Sequence, residues 1–139
     1  MAQIEHTEQS KFITFCRSQG GQLAEIFAIP NGAYVSKREA VKLAREGMRS
    51  GPTDLCLPVR SYAGEWPILW IEFKRPDGKG VTSDKQVEFM KNRIDNGHHA
   101  VVVMSAVEAV ALVLKYLHDL DYNNVEALAL LNRAMTCPV

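Results

Sequence analysis

Apolar positions recur at helical spacing near both ends of the chain and gather into short strand-like runs between them. Within residues 4–17, Ile4, Phe12, Phe15 and Cys16 share one helical stripe. Residues 23–29 form a short apolar run that stops at Pro30, Asn31 and Gly32, which predicts a strand closed by a turn. Ser36 and Glu39 stand at capping-box spacing and open a helix that should stop near Gly47. Residues 54–59 and 67–74 are two strand-like runs joined by a polar loop, the pattern of an antiparallel hairpin. A breaker-rich loop follows, from Arg75 through Lys79 to Gly80. Ser83 with Gln86 and Ser105 with Glu108 repeat the capping-box spacing and predict helices ending near Gly97 and Leu117. Between them, residues 99–104 are β-branched and apolar, the best candidate for a buried strand. Residues 124–135 complete the series as an amphipathic helix with Val125, Leu128 and either Leu131 or Leu130 facing inward. The order helix, strand, helix, hairpin, helix, strand, helix, helix predicts an α/β domain with a mixed β-sheet flanked by helices.

Size and composition narrow this picture without choosing a partner. A chain of 139 residues fits one domain, spanning 1–139. A domain of that length buries roughly two-thirds of its unfolded surface, so it needs no disulfide or structural metal to fold. Cys16, Cys56 and Cys137 lie far apart with no CxxC pair, which argues against zinc and for a reducing compartment. The first residues lack the basic-then-apolar order of a signal peptide, and no apolar run reaches membrane length. These features predict a cytoplasmic or otherwise intracellular protein, of viral or cellular origin alike, with no membrane partner. Net charge is zero, from 16 basic and 16 acidic residues, which excludes a general nucleic-acid coat but not a local basic face.

The candidate chemistry lies in the hairpin. Side chains alternate faces along a strand, so Glu72 and Lys74 point the same way, roughly 6–7 Å apart. Ile68 and Trp70 share their face, whereas Leu69, Ile71 and Phe73 point to the other. A hairpin sets Asp54, at the start of one strand, beside the end of the next, so Asp54, Glu72 and Lys74 can converge. Two carboxylates there suit one or two Mg²⁺ or Mn²⁺ ions, hard cations that prefer oxygen ligands, with the Phe73 carbonyl as a further donor. Such an ion polarises a phosphoryl oxygen, and the Lys74 ammonium can orient water and offset transition-state charge. An acid and a base two apart on a strand are also what a solvated edge with a weak ion pair looks like. The flanking apolar residues and the capped helix that follows set this pattern apart from a bare ExK.

A second pattern is basic. Arg38, Lys42, Arg45 and Arg49 recur at steps of four, three and four, forming one stripe, while Val41, Ala44 and Met48 lie largely elsewhere. Residues 36–51 hold five basic and two acidic groups, a local charge of +3. Alone this is an ordinary solvated helix face; beside a site that binds a phosphoryl group it predicts phosphate contact, joined by Arg75, Lys79 and Lys85.

The sequence resembles the VRR-NUC (virus-type replication-repair nuclease) domain of the PD-(D/E)xK superfamily. The matching residues are Glu5, His6, Glu8 and Gln9; Ile29 to Gly32; Gly47, Gly51, Asp54 and Leu55; Ile71 to Pro76; Gln86; and Gly97 with Val101 to Val103. They run in the family's order over residues 3–118, and residues 119–139 form an extra C-terminal helix. In one place the sequence departs: the family usually has proline directly before the aspartate, where this chain has Thr53 after Pro52. The resemblance implies a restriction-endonuclease-like core and catalytic roles for Asp54, Glu72 and Lys74. It adds Glu8 as an acidic residue reaching the metal from the first helix, and Gln86 as an active-site residue. Glu8 lies a turn from Ile4 and Phe12, where an unpaired carboxylate is unfavourable, and Gln86 also has the place that completes a capping box with Ser83. The implied activity is a Mg²⁺- or Mn²⁺-dependent endodeoxyribonuclease acting on branched DNA such as Holliday junctions, in replication, repair or recombination. Two symmetric cuts would require a homodimer. The alternatives are a non-catalytic nucleic-acid-binding module and a nuclease subunit that needs a partner.

Overall fold

The computed structural model describes residues 2–30, 35–49, 51–75, 77 and 83–136, with side chains from residue 4 onward. Asn31 and Gly32 of the expected turn, Pro76 and Lys79 of the breaker-rich loop, and Cys137 lie outside these residues. The four strands are β1 (Phe27–Ala28), β2 (Leu55–Leu57), β3 (Leu69–Phe73) and β4 (His99–Val103), in spatial order β1-β2-β3-β4. β1 and β2, and then β2 and β3, pair antiparallel, whereas β4 joins β3 in parallel. The helices are α1 (Ala2–Gln19), α2 (Lys37–Arg45), α3 (Asp84–Asp95), α4 (Ala106–His118) and α5 (Asn124–Thr136). The architecture is a mixed α/β sheet flanked by helices.

Strand alternation divides the sheet into two unlike faces. Leu55, Leu57, Leu69, Ile71 and Phe73 are sealed against Phe12, Phe15 and Cys16 of α1 and Val110 and Val113 of α4. Phe12 and Phe73 set this layer at the end of β3, with ring centroids 5.9 Å apart. On the opposite face α3 covers Trp70, whose ring meets Phe89 edge-on at 5.2 Å. Helix starts follow their caps. The hydroxyls of Ser36, Ser83 and Ser105 accept from the backbone N–H three residues on, and Gln86 closes a full capping box at Ser83.

Several expectations are corrected. The run at residues 23–29 is a 3₁₀ helix (Gly21–Glu25) followed by the two-residue β1, because only Leu23 is buried and both strand residues are exposed. β4 is an edge strand with Val102 exposed, so its β-branched run is buried chiefly through Ala100 and Val103. In α5 the inward face is Ala127, Leu131 and Ala134, and Val125 and Leu128 point to solvent. Alanines at these positions let α5 lie close on α1 and α4, which larger residues would hold off. Ile4 is likewise exposed, above the buried part of the α1 stripe. At Ser105, Glu108 accepts from Met104 N–H at 2.9 Å, which leaves that capping box half made.

Candidate active site

The hairpin and α3 bring four polar side chains to the C-terminal end of β3. Glu72 follows Ile71 on the strand and points to the α3 face, yet only 1% of it is exposed. Asp54 enters just ahead of β2. Its carbonyl accepts from Ile29 N–H at 2.9 Å, and its Oδ2 accepts from Phe73 N–H at 2.8 Å. The carboxylate is thereby fixed beside Glu72. Thr53 is itself buried, and its hydroxyl donates to the Leu55 carbonyl at 3.3 Å, which shapes the entry to β2.

Gln86 ties the cluster together. Its Nε2 donates to Glu72 Oε2, while its Oε1 accepts from Lys74 Nζ at 3.1 Å and from Ser83 N–H at 3.3 Å. The same side chain therefore completes the α3 cap and bridges Glu72 to Lys74. The Lys74 ammonium also lies 3.9 Å from Glu72 Oε2, with 14% of its side chain exposed. Gly51 makes this approach possible. Its φ is +107°, and a Cβ there would stand 2.9 Å from the Lys85 carbonyl on the first turn of α3. Without a side chain at Gly51, the Asp54 segment lies directly against the helix that carries Gln86.

Electrostatics mark this as an unusual carboxylate pair. Burial, together with hydrogen bonding to and repulsion from the Asp54 carboxylate, pushes the Glu72 carboxyl up to about 9, with partial relief from Lys74. A pair that cannot hold two negative charges by itself is suited to a divalent cation. Asp54 and Glu72 supply two such oxygen donors. Among the described residues no group of three or more His, Cys, Asp or Glu side chains is placed to hold an ion. Glu8 is not drawn into the cluster. Its Oε1 accepts from Ala106 N–H at 3.1 Å, at the N-terminus of α4, and its Oε2 lies 3.3 Å from Lys11. It stands at the same end of the sheet, because α4 begins directly after β4.

The fold is shared with a known structure. A solved protein described as "VRR_NUC domain protein" superposes with a TM-score of 0.70 over 88% of this chain and 95% of its own, at 23% sequence identity. The fold is the VRR_NUC fold. No family model and no curated protein matches the sequence.

Around this core, α2 carries Arg38, Lys42 and Arg45 but not Arg49, because the helix ends at Arg45 and the chain turns at Gly47, whose φ is +105°; the expected four-residue stripe is therefore broken after Arg45. α2 buries no residue, and Arg38, Lys42, Arg45 and Arg49 are all exposed. Arg38, Lys42 and Arg45 line one shallow depression with Val41 and Glu46. Arg49, in the segment after α2, lines another with Lys85, Glu88 and Asn92 of α3. Strand alternation puts Trp70 on the same face as Glu72 but does not show what braces it. Trp70 Nε1 donates to His98 Nδ1 at 2.9 Å, and the Arg93 guanidinium lies over the Phe89 ring at 4.8 Å. The helical spacing of Phe89 and Arg93 on α3 is the signal in the sequence that bears on it.

Proposed function

We propose that this protein is a metal-dependent DNA endonuclease, hydrolysing phosphodiester bonds in branched or structured DNA such as four-way junctions during replication, repair or recombination. The observation that carries this reading is the buried Glu72 carboxyl set against the half-buried Asp54, with Lys74 tethered beside it by Gln86. The VRR_NUC fold of the structural neighbour supports it.

Mg²⁺ or Mn²⁺ would be held by Asp54 and Glu72, with the Phe73 carbonyl as a further oxygen donor. When bound, the ion supplies Lewis-acid polarisation of the scissile phosphate. Lys74, held by Gln86, orients the attacking water and offsets negative charge developing on the phosphoryl oxygens. Glu8, on α1 at the same end of the sheet, would reach the ion only by exchanging its bonds to Ala106 N–H and Lys11 for it. The stripe of Arg38, Lys42, Arg45 and Arg49 follows a phosphate backbone, giving an affinity that falls steeply with salt. A homodimer would place two such sites for paired cuts across a junction.

The test is a cleavage panel of four-way junction, flap and linear duplex, each with Mg²⁺, Mn²⁺ or EDTA, with Lys74→Ala as blank. The proposal expects junction cleavage with either ion and none in EDTA. Equal DNA binding with and without metal, and no cutting under any cation, would instead identify a non-catalytic binding module.

A further inference from the structure

Leu69 pairs with His99 at one end of β3 and Phe73 with Val103 at the other, about 13 Å apart at the rise of a strand. At the Leu69 end, away from Glu72, a cavity of about 300 Å³ opens between the β2–β3 loop, the start of β4 and α4. That volume is at the lower end of small-ligand pockets, roughly 300–1,000 Å³.

Its wall is a set of near-parallel rings. Trp66 and His99 stack with centroids 4.2 Å apart and planes 13° apart. Tyr116 lies 6.3 Å from His99 at 4° and 6.2 Å from Trp66 at 15°. The loop that carries Trp66 is pinned to α4. The Tyr116 hydroxyl lies 2.8 Å from the Val59 carbonyl and 3.2 Å from that of Trp66, and Tyr62 N–H donates to the Tyr116 carbonyl at 2.8 Å. Ser61 Oγ accepts from Trp66 N–H at 3.0 Å. The aromatic wall is therefore set before any ligand arrives, which reduces the ordering that binding would require.

The charge at the mouth narrows the ligand class. Glu65, Lys115 and Asp119 line it, with Lys115 Nζ 2.7 Å from Asp119 and 3.2 Å from Asp121. Burial holds His99 below the usual imidazole range, so its ring is uncharged at neutral pH. Among the lining side chains the two carboxylates outnumber the ammonium, a balance that favours N–H donors over phosphate, while the Arg60 guanidinium acts on Tyr116 from the β2–β3 loop.

We propose that this cavity binds a flat, uncharged heteroaromatic ring bearing N–H donors, a nucleobase or nucleoside, against the Trp66–His99–Tyr116 wall. It uses none of Asp54, Glu72 or Lys74, and so stands apart from the nuclease reading. The test is a titration of the full chain with adenosine, followed by the backbone and indole N–H signals in NMR. The Trp66 indole and the Tyr62 and Lys115 amides should shift saturably, while the Trp70 indole, held by His98, should not. Adenosine monophosphate should bind about threefold to tenfold more weakly, with the gap closing at high salt. Leu112→Trp, which fills the cavity, should weaken adenosine binding about tenfold or more. Glu65→Lys, an exposed rim change, should shift the preference toward the monophosphate. No saturable shift at Trp66, or shifts confined to the Lys74 and Gln86 signals, would overturn the proposal. So would tighter binding there by the monophosphate or by a single-stranded oligonucleotide.

Discussion

Ile71 and Glu72 are consecutive on β3, both closed to solvent, and they point to opposite faces of one sheet. Ile71 belongs to the buried apolar cluster, so its burial stabilises the fold directly. Glu72 is equally buried but faces another carboxylate, and its environment opposes its charged form. Nothing in folding alone calls for two carboxyl groups there, since a neutral group of the same shape would fit with less repulsion. One face of β3 thus serves stability, and the other holds a strained polar cluster that a ligand can relieve.

That contrast can be broken by substitution. The largest loss of stability is expected from Ile71→Ala, about 2–5 kcal/mol by urea denaturation, with the site geometry otherwise kept. A loss below about 1 kcal/mol would mean that the Ile71 face is not the packed core. Gly51→Ala should cost about 1–3 kcal/mol, because it strains a +107° φ and drives a Cβ against the Lys85 carbonyl. It should also slow cleavage, because it separates Asp54 from the helix that carries Gln86.

Glu72→Gln should act in the opposite sense to Ile71→Ala. In EDTA at pH 8 it should raise stability by about 1–2 kcal/mol, or about 3–8 °C in Tm. The pH dependence follows from the same group. The folded chain keeps the Glu72 proton up to about 9, whereas an unperturbed glutamate releases it at 4.5. Folding therefore takes up a proton between those values. The metal-free parent should lose stability as pH rises through that window and level off above it, and the Glu72→Gln variant should not show that component. A parent whose stability rises across the window in EDTA would contradict this. The smallest effects belong to α2, which buries nothing. Lys42→Ala or Arg45→Ala should change stability by less than about 0.5 kcal/mol, while lowering the salt dependence of DNA binding by about one unit of slope.

Much of this is legible in the sequence because local rules govern it. Serines three residues ahead of a glutamate or glutamine mark the starts of α2, α3 and α4. The two-residue repeat of β3 is enough to separate Ile71 from Glu72. Long-range packing is not legible in the same way. Whether Val125 or Ala127 faces inward on α5 depends on how closely α1 and α4 approach. Gln86 is open to two readings in the sequence, a cap or a site residue, and its side chain makes both sets of bonds because Oε1 and Nε2 point to different partners. Glu8 carries no sequence signal for Ala106, nearly a hundred residues away, whose N–H it receives. The Trp66–His99–Tyr116 wall is built from a loop, a strand and a helix, and no local pattern announces it.

If the Asp54–Glu72 pair and the tethered Lys74 are the cutting centre, removing one carboxylate must cost the reaction without costing the fold. The deciding quantity is the single-turnover cleavage rate of one labelled four-way junction in Mn²⁺, measured for the parent and for Glu72→Gln side by side. A loss of about 100-fold or more is expected, in a variant that is at least as thermostable as the parent when both are in EDTA. Equal rates for the two proteins would place the cutting centre elsewhere.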